Sequence, residues 1–589
     1  MKDFFKYMFA TIAGIIITSI IMLLIFFSMI GAMVAKSDQA VDVKDNSLLV
    51  VKFDQQIVDR ATDNPMENFD FMSFKPAPQM GLNDILKAID NAADDDKIRG
   101  IYIETEGIPA GAATLEEIRA SLEKFKESGK FIISYSNVYS QKSYYLASVS
   151  DKILLNPEGM VEWVGLRSEI MFFKGALEKL GVEAQILRHG KFKSAVEPFM
   201  YEKMSPENRE QILTYTGSIW NHWVEGISKM RNLTPEKLNQ FADNITIRNA
   251  KAALENGLVD SLVYKDQVIN MLKELTDTKP KKDINSVSLA QYTKVKPKRK
   301  HKGFIREKIA VVYASGEIVM GDGNEGAIAG ERFGRAIREA RRDSTVKAIV
   351  LRINSPGGSA LASEVIWREV KLATEVKPVI VSMGDVAASG GYYIAAPADY
   401  IVASPTTITG SIGVFGIMPN VKEGMNKKLG ITVDVAKTNR NSDFGSLFRP
   451  MTAEERAISQ LSVEEVYKTF IGHVAEGRET TVEKVDEIGQ GRVWSGANAI
   501  NINLVDEFGG LQKAIDIAAE RAEIENYRIT ELPELKNPFE ALVKQLTGGA
   551  KARVLQNELG KSYKHVERLK SIANSRGIMA RIPYDVEMY

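Results

Sequence analysis

The chain has 589 residues, with 76 Lys and Arg against 76 Asp and Glu, and no cysteine. That length exceeds a single core, which rarely grows past about 250–300 residues, so several domains or repeats are expected. The missing cysteines exclude disulfides, thiol catalysis and Cys-ligated metals, while the balanced charge argues neither for nor against nucleic acid.

Residues 7–35 carry no charged side chain. A helix of that length more than crosses about 30 Å of hydrocarbon, whereas a cleaved leader has an apolar core of only about 7–15 residues. The expectation is a stub at 1–7 and a retained transmembrane helix at 8–35. Lys2 and Lys6 precede the span, and Lys36 is followed by Asp38, Asp42 and Asp45. The lysine bias is small but favours a cytoplasmic N-terminus, with the bulk of the chain extracytoplasmic.

Beyond the span the chain repeats itself. Ile89, Tyr144, Asp151 and Gly165 recur as Ile337, Tyr392, Asp399 and Gly413, each 248 positions later. A constant offset over so many positions marks a duplication. Each copy reads strand, helix, apolar strand, helix, apolar strand, short helix, strand. Continuous apolar runs such as Ala348-Ile-Val-Leu351 suit parallel strands covered on both faces, hence an α/β fold. The expected divisions are a first copy at 36–275, a basic linker at 276–308, a second copy at 309–526 and a helical tail at 527–589. The tail carries an amphipathic pattern through Leu555, Leu559, His565 and Leu569.

The copies differ where chemistry is concerned. In the second, Ser389 stands between an apolar strand and Gly390-Gly391, where a helix begins. Such a serine lies near unpaired N–H groups and the positive end of a helix, a seat for a nucleophile or simply an N-cap. Counting back 248 positions, Ser389 falls on Gln141, Gly390 on Lys142 and Ser411 on Trp163. The first copy instead offers His189-Gly-Lys-Phe-Lys-Ser-Ala-Val-Glu-Pro-Phe199, with Asn441 standing where the second copy would match Lys193. Complementary losses point to one composite site, with a serine from one copy and a base from the other. His189 and Lys193 both qualify as that base, the lysine if burial lowers its pKa. Asn354-Ser-Pro-Gly-Gly358 follows a strand and can present N–H groups to an oxyanion, or serve only as a tight turn. Thr409-Gly-Ser-Ile-Gly413 places Ser411 where it could orient a base. Tyr392 and Tyr393 read as core residues. The five histidines show no ligand spacing, so neither a metal nor a cofactor is expected.

Together, Asn354-Ser-Pro-Gly-Gly358, the Ala-Ala-Ser-Gly-Gly run around Ser389, Thr409-Gly-Ser-Ile-Gly413 and Lys191-Phe-Lys-Ser-Ala-Val-Glu-Pro-Phe199 resemble the signal peptide peptidase A family. The likeness is to its long, duplicated, membrane-anchored form, and covers almost everything after the span. It implies serine–lysine peptidases with tandem crotonase-like (ClpP-like) units. By this resemblance Ser389 is the nucleophile, Lys193 the general base and Ser411 its hydrogen-bonding partner. The backbone N–H groups of Gly358 and Gly390 form the oxyanion hole. It further implies a homo-oligomer, a tetramer shaped like a bowl, that degrades cleaved signal peptides. No nucleic-acid partner is expected. Two other readings stand beside it: a crotonase-type acyl-CoA hydratase or isomerase, and a non-catalytic membrane scaffold.

Overall fold

Both halves of the chain fold by the same rule, a buried parallel strand followed by a helix laid across it. The computed structural model describes residues 2–37, 41–62, 69–70, 75–76, 79–295, 305–323, 326–535 and 578–582. Lys2–Ser37 forms one helix. Its Asp3–Met22 stretch is long and apolar enough to cross a membrane, and none of it is buried against the rest of the chain.

In the first copy the sheet runs Ser261–Leu262, Lys152–Val161, Phe131–Tyr139, Ile98–Ile103, Ser47–Val51, Ser286–Ser288, all parallel. The second copy repeats this order with Ile408–Gly410, Val379–Ala388, Val346–Ser355, Lys308–Ser315 and Arg528–Leu532. The repeat extends to packing. Helix Leu82–Asp94 buries Ile85, Ala88, Ile89 and Ala92, and helix Gly330–Arg342 buries Phe333, Ala336, Ile337 and Ala340. These are the same four positions, spaced i, i+3, i+4, i+7, which puts them on one helix face. Each large side chain so buried contributes about 1.5–3 kcal/mol. The long helices Pro206–Arg231 and Ala453–Gly477 close the two copies.

A third sheet mixes the copies, in the order Ala327–Ala329, Glu317–Val319, Gly357–Ser359, Met579–Arg581, Phe415–Asn420, Glu183–Arg188. Its last pair is antiparallel and joins the first copy to the second, from Phe415 opposite Arg188 to Asn420 opposite Glu183. The copies are also locked by a buried ionic cluster. Arg352 of the second donates from Nε to Asp59 Oδ1 at 2.7 Å and from Nη2 to Glu117 Oε1 at 2.6 Å, both in the first. Asp385 reaches back to accept from the N–H and hydroxyl of Thr114, at 2.9 and 2.7 Å.

Two segments differ from expectation. Within the stretch read as a linker, Ser286–Ser288 forms the edge strand of the first sheet and Leu289–Tyr292 a short helix, with Val287, Leu289 and Tyr292 buried. These apolar residues are overshadowed in the sequence by the lysine-rich runs around them. The start of the tail is not helical. Arg528–Leu532 lies parallel to Lys308–Ser315, and its β-branched Ile529 and Thr530 are compatible with a strand. Leu555, Leu559, His565 and Leu569, on which the helical reading rests, lie outside the described residues.

Candidate active site

The antiparallel pairing of Glu183–Arg188 with Phe415–Asn420 brings two loops together. The loop after Arg188 carries Lys193 from the first copy, and the turn before Phe415 carries Ser411 and Gly413 from the second. Val379–Ala388 ends beside them, and Ser389 follows it directly.

Lys193, Ser389 and Ser411 are each fully buried. Lys193 Nζ donates to Ser389 Oγ at 2.8 Å, to Ser411 Oγ at 3.1 Å and to the Ser411 carbonyl at 3.2 Å. Ser389 Oγ in turn donates to the Gly413 carbonyl at 3.3 Å, and Ser411 Oγ to the Gly491 carbonyl at 3.3 Å. Burial pushes the Lys193 ammonium well below its ordinary pKa. A lone cation taken out of water loses hydration that hydroxyls and carbonyls replace only in part, so the neutral amine is favoured. A neutral amine within hydrogen-bond reach of a hydroxyl can accept its proton.

The backbone at Ser389 has φ 56° and ψ −114°, and its side chain does not cap the helix Gly390–Ala395. This is a costly conformation for a residue with a Cβ, and such strain persists only when the surroundings enforce it. Here it turns the hydroxyl away from the helix and toward Lys193. Ser411 is also held at positive φ, 48°, with its N–H donating to the Arg492 carbonyl at 2.7 Å.

The glycine turn lies alongside. Ser355 Oγ accepts from the Gly357 N–H at 3.1 Å and donates to the Gly316 carbonyl at 2.7 Å, bracing the turn. Gly357 has φ 94°, and a Cβ on it would lie 2.7 Å from the Gly390 nitrogen. The Gly357–Ser359 strand and the start of the Gly390 helix are thus in direct contact, with Gly358 and Gly390 on facing segments.

The other candidate base is placed elsewhere. His189 Nδ1 is hydrogen-bonded to the Glu464 carboxylate, and its ring stacks on Tyr467 with centroids 3.7 Å apart. Tyr392 and Tyr393 are buried, and Tyr392 Oη donates to the Leu504 carbonyl at 3.0 Å, as core residues do.

The residues that hold Lys193 in place went unnoticed in the sequence. Gly491 has φ 82°, and a Cβ there would lie 2.6 Å from Lys193 Cα. Gln211 Nε2 donates to the Phe192 carbonyl at 3.1 Å and to Ser194 Oγ at 2.8 Å, while its Oε1 accepts from the Val493 N–H at 3.1 Å. The buried Glu197 carboxylate accepts from Ser205 Oγ at 2.6 Å and Asn208 Nδ2 at 2.9 Å. The Gly489-Gln-Gly491 run was the one available signal for a backbone needing glycine. Glu197 lies within the Lys191–Phe199 motif without a role of its own being legible there, and nothing local marks Gln211.

The sequence profile of Peptidase family S49 matches residues 124–279 and 371–525, once in each copy. The chain is 37% identical to "Protease 4" of Salmonella typhi over 481 residues, 80% of this chain and 77% of that protein. It is 33% identical to "Serine protease SPPA, chloroplastic" of Arabidopsis thaliana over 550 residues, 92% of this chain and 78% of that protein. Among solved structures it is similar to ClpP1 from Listeria monocytogenes, at 17% identity over 34% of this chain and 92% of that one, with a TM-score of 0.22.

Proposed function

The chain belongs to peptidase family S49 and is a serine peptidase; from that premise we propose that Ser389 is its nucleophile and Lys193 its general base. The observation that carries this reading is the 2.8 Å contact between Lys193 Nζ and Ser389 Oγ, both side chains fully buried. The neutral amine takes the hydroxyl proton as Oγ attacks a peptide carbonyl. The N–H groups of Gly358 and Gly390 hold the resulting oxyanion, each such donor being worth about 2.7–4 kcal/mol in acyl transfer. Lys193 then gives its proton to the leaving amine, and the same lysine activates the water that frees the acyl group. Ser411 orients the amine through the 3.1 Å contact. Neither the acyl-CoA hydratase nor the scaffold reading is favoured by membership of a peptidase family.

The substrates we propose are apolar, extended peptides, above all cleaved signal peptides, whose central regions are apolar. One observation supports a membrane setting, namely the terminal helix able to span a bilayer. The weak lysine bias supports a catalytic region on the extracytoplasmic side of the cytoplasmic membrane. The arm at 429–448 exposes Leu429, Ile431, Val433, Val435, Phe444 and Leu447. Exposed apolar surface of this kind supports assembly into a homo-oligomer. The tandem division proposed here follows the two sheets, with the base supplied by the first copy and the nucleophile by the second.

The decisive experiment is to treat intact protein with a fluorophosphonate and locate the adduct by mass spectrometry, alongside cleavage of a fluorogenic apolar peptide. An adduct on Ser389, absent from Lys193→Met, is expected. Labelling of another serine, or peptide cleavage unchanged in Ser389→Ala, would overturn the assignment.

A further inference from the structure

The Lys193 loop and the Ser411 turn are both seated on one short turn, residues 489–492. The Gln490 carbonyl accepts from the N–H of Phe192, the residue before the lysine, at 3.1 Å. A Cβ on Gly491 would lie 2.6 Å from Lys193 Cα, so the two backbones are in contact there. From the other side, the Ser411 hydroxyl donates to the Gly491 carbonyl at 3.3 Å and the Ser411 N–H to the Arg492 carbonyl at 2.7 Å. Any displacement of this turn therefore moves the amine together with the hydroxyl that orients it.

The turn is not a relaxed one. Gln490 and Gly491 are consecutive left-handed residues, with φ 52° and 82°. A glutamine persists there only when its surroundings hold it. What holds it is a side chain from the helix Ala453–Gly477. The buried Tyr467 Oη accepts from the Gln490 N–H at 3.1 Å and donates to Asp486 Oδ1 at 2.6 Å. The carboxylate, which can only accept, fixes the hydroxyl proton and so turns a lone pair toward the turn. Burial and the Asp486 hydrogen bond push the Tyr467 pKa up, so the hydroxyl stays protonated. The ring is fixed as well. It stacks on His189, which is itself tied to Glu464, about one helical turn before Tyr467.

We propose that Tyr467 is a positioning residue of the peptidase, its hydroxyl holding the 489–492 turn so that Lys193 and Ser411 stay aligned with Ser389. This rests on the Ser389 and Lys193 reading above. Tyr467 acts only through backbone: its oxygen holds the Gln490 N–H, the Gln490 carbonyl holds the Phe192 N–H, and Lys193 follows. Asp486 acts one step further out, by aiming the Tyr467 hydroxyl.

The test compares Tyr467→Phe with Tyr144→Phe in the full chain. The first keeps the ring and its stack on His189 and loses only the oxygen. The second removes the same atom from a buried tyrosine of the first copy, whose hydroxyl donates to the Leu258 carbonyl at 2.8 Å. For each, kcat and KM on a fluorogenic peptide, the rate of fluorophosphonate labelling at Ser389, the pH profile of kcat and the Tm are measured. Tyr467→Phe is expected to lower kcat and the labelling rate about tenfold, with KM changed less than about twofold, because small shifts of a catalytic group are costly. A turn no longer held lets water reach the amine, which raises its pKa and moves the acidic limb of the profile to higher pH. Asp486→Ala, which frees the hydroxyl to rotate, is expected to produce the same changes at smaller size. Tyr144→Phe is expected to lower Tm and to leave kcat and the limb where they are. A Tyr467→Phe variant with wild-type kcat, labelling and limb, or one that loses kcat with no movement of the limb, overturns the positioning role and leaves the Ser389 and Lys193 assignment standing. Wild-type protein that fails to label at Ser389 overturns that assignment and the positioning role with it.

Discussion

Gln141 and Ser389 occupy the same place in two copies of one fold, and their surroundings show how a duplicated unit becomes half of a composite site. In the first copy the helix Gln141–Ala147 is capped by Ser140, whose side chain accepts from the Ser143 N–H. Gln141 Oε1 accepts from the N–H groups of Val164 and Gly165, at 3.0 and 2.8 Å. Its side chain therefore fills the pocket with hydrogen bonds of its own. In the second copy the helix begins one residue later, at Gly390, and Ser389 is pushed to positive φ. Its hydroxyl touches the Gly413 carbonyl, the counterpart of Gly165, and also reaches Lys193. The turn of the first copy is satisfied internally, whereas that of the second is strained and its serine reaches a lysine of the other copy. Strain of about 1–3 kcal/mol at such a residue is sustained by the packing around it.

That contrast can be broken most severely at Lys193, the proposed base. Lys193→Met is expected to lower kcat/KM by about 10⁴, with residual activity coming from the oxyanion donors alone. Gln141→Ala, at the matching place in the other copy, is expected to change it less than about twofold. Steady-state kinetics on one fluorogenic peptide checks both. Next comes the lock between the copies. Arg352→Met leaves Asp59 and Glu117 buried without their cation, which is expected to cost about 3–5 kcal/mol in urea unfolding. The matching removal of both carboxylates together with Arg352 should recover most of that loss.

A smaller effect is expected at the glycine that backs the lysine. Gly491→Ala would force a Cβ to 2.6 Å from Lys193 Cα, at a φ of 82° that alanine resists. Displacing the amine by about 1 Å is expected to reduce kcat about 10²-fold with little change in KM.

The smallest effect is on stability and has a definite sign. The folded chain holds Lys193 well below its ordinary pKa, while the unfolded chain titrates near 10.4. Between those two values the unfolded state binds the extra proton, so stability rises with pH across that window and activity rises with it at the lower end. Lys193→Met is therefore expected to flatten the pH dependence and to be more stable than the wild type by about 1 kcal/mol at neutral pH. Thermal unfolding between pH 6 and pH 10 checks this, and an unchanged slope would mean that the lysine is not held neutral.

Much of the architecture was legible from the 248-residue offset alone. Ile89 and Ile337, with their neighbours one helical turn away, announce the same buried helix face twice. The apolar runs around Ile101 and Ile349 announce the same buried strand. Local periodicity carries such information because burial repeats at the period of the element. The start of the tail was misread because Arg528–Leu532 takes its structure from the sheet edge it meets, which no local pattern encodes.

By itself the sequence determined which residue types were on offer: a serine before two glycines in one copy, and a lysine within an apolar run in the other. Only the tertiary structure decided that they touch. Positions 193 and 389 are joined through the antiparallel pair of Glu183–Arg188 with Phe415–Asn420, whose register sets their 2.8 Å separation. The same assembly buries the amine, and burial, a property of the whole fold, is what lowers the pKa of Lys193 and favours its neutral form.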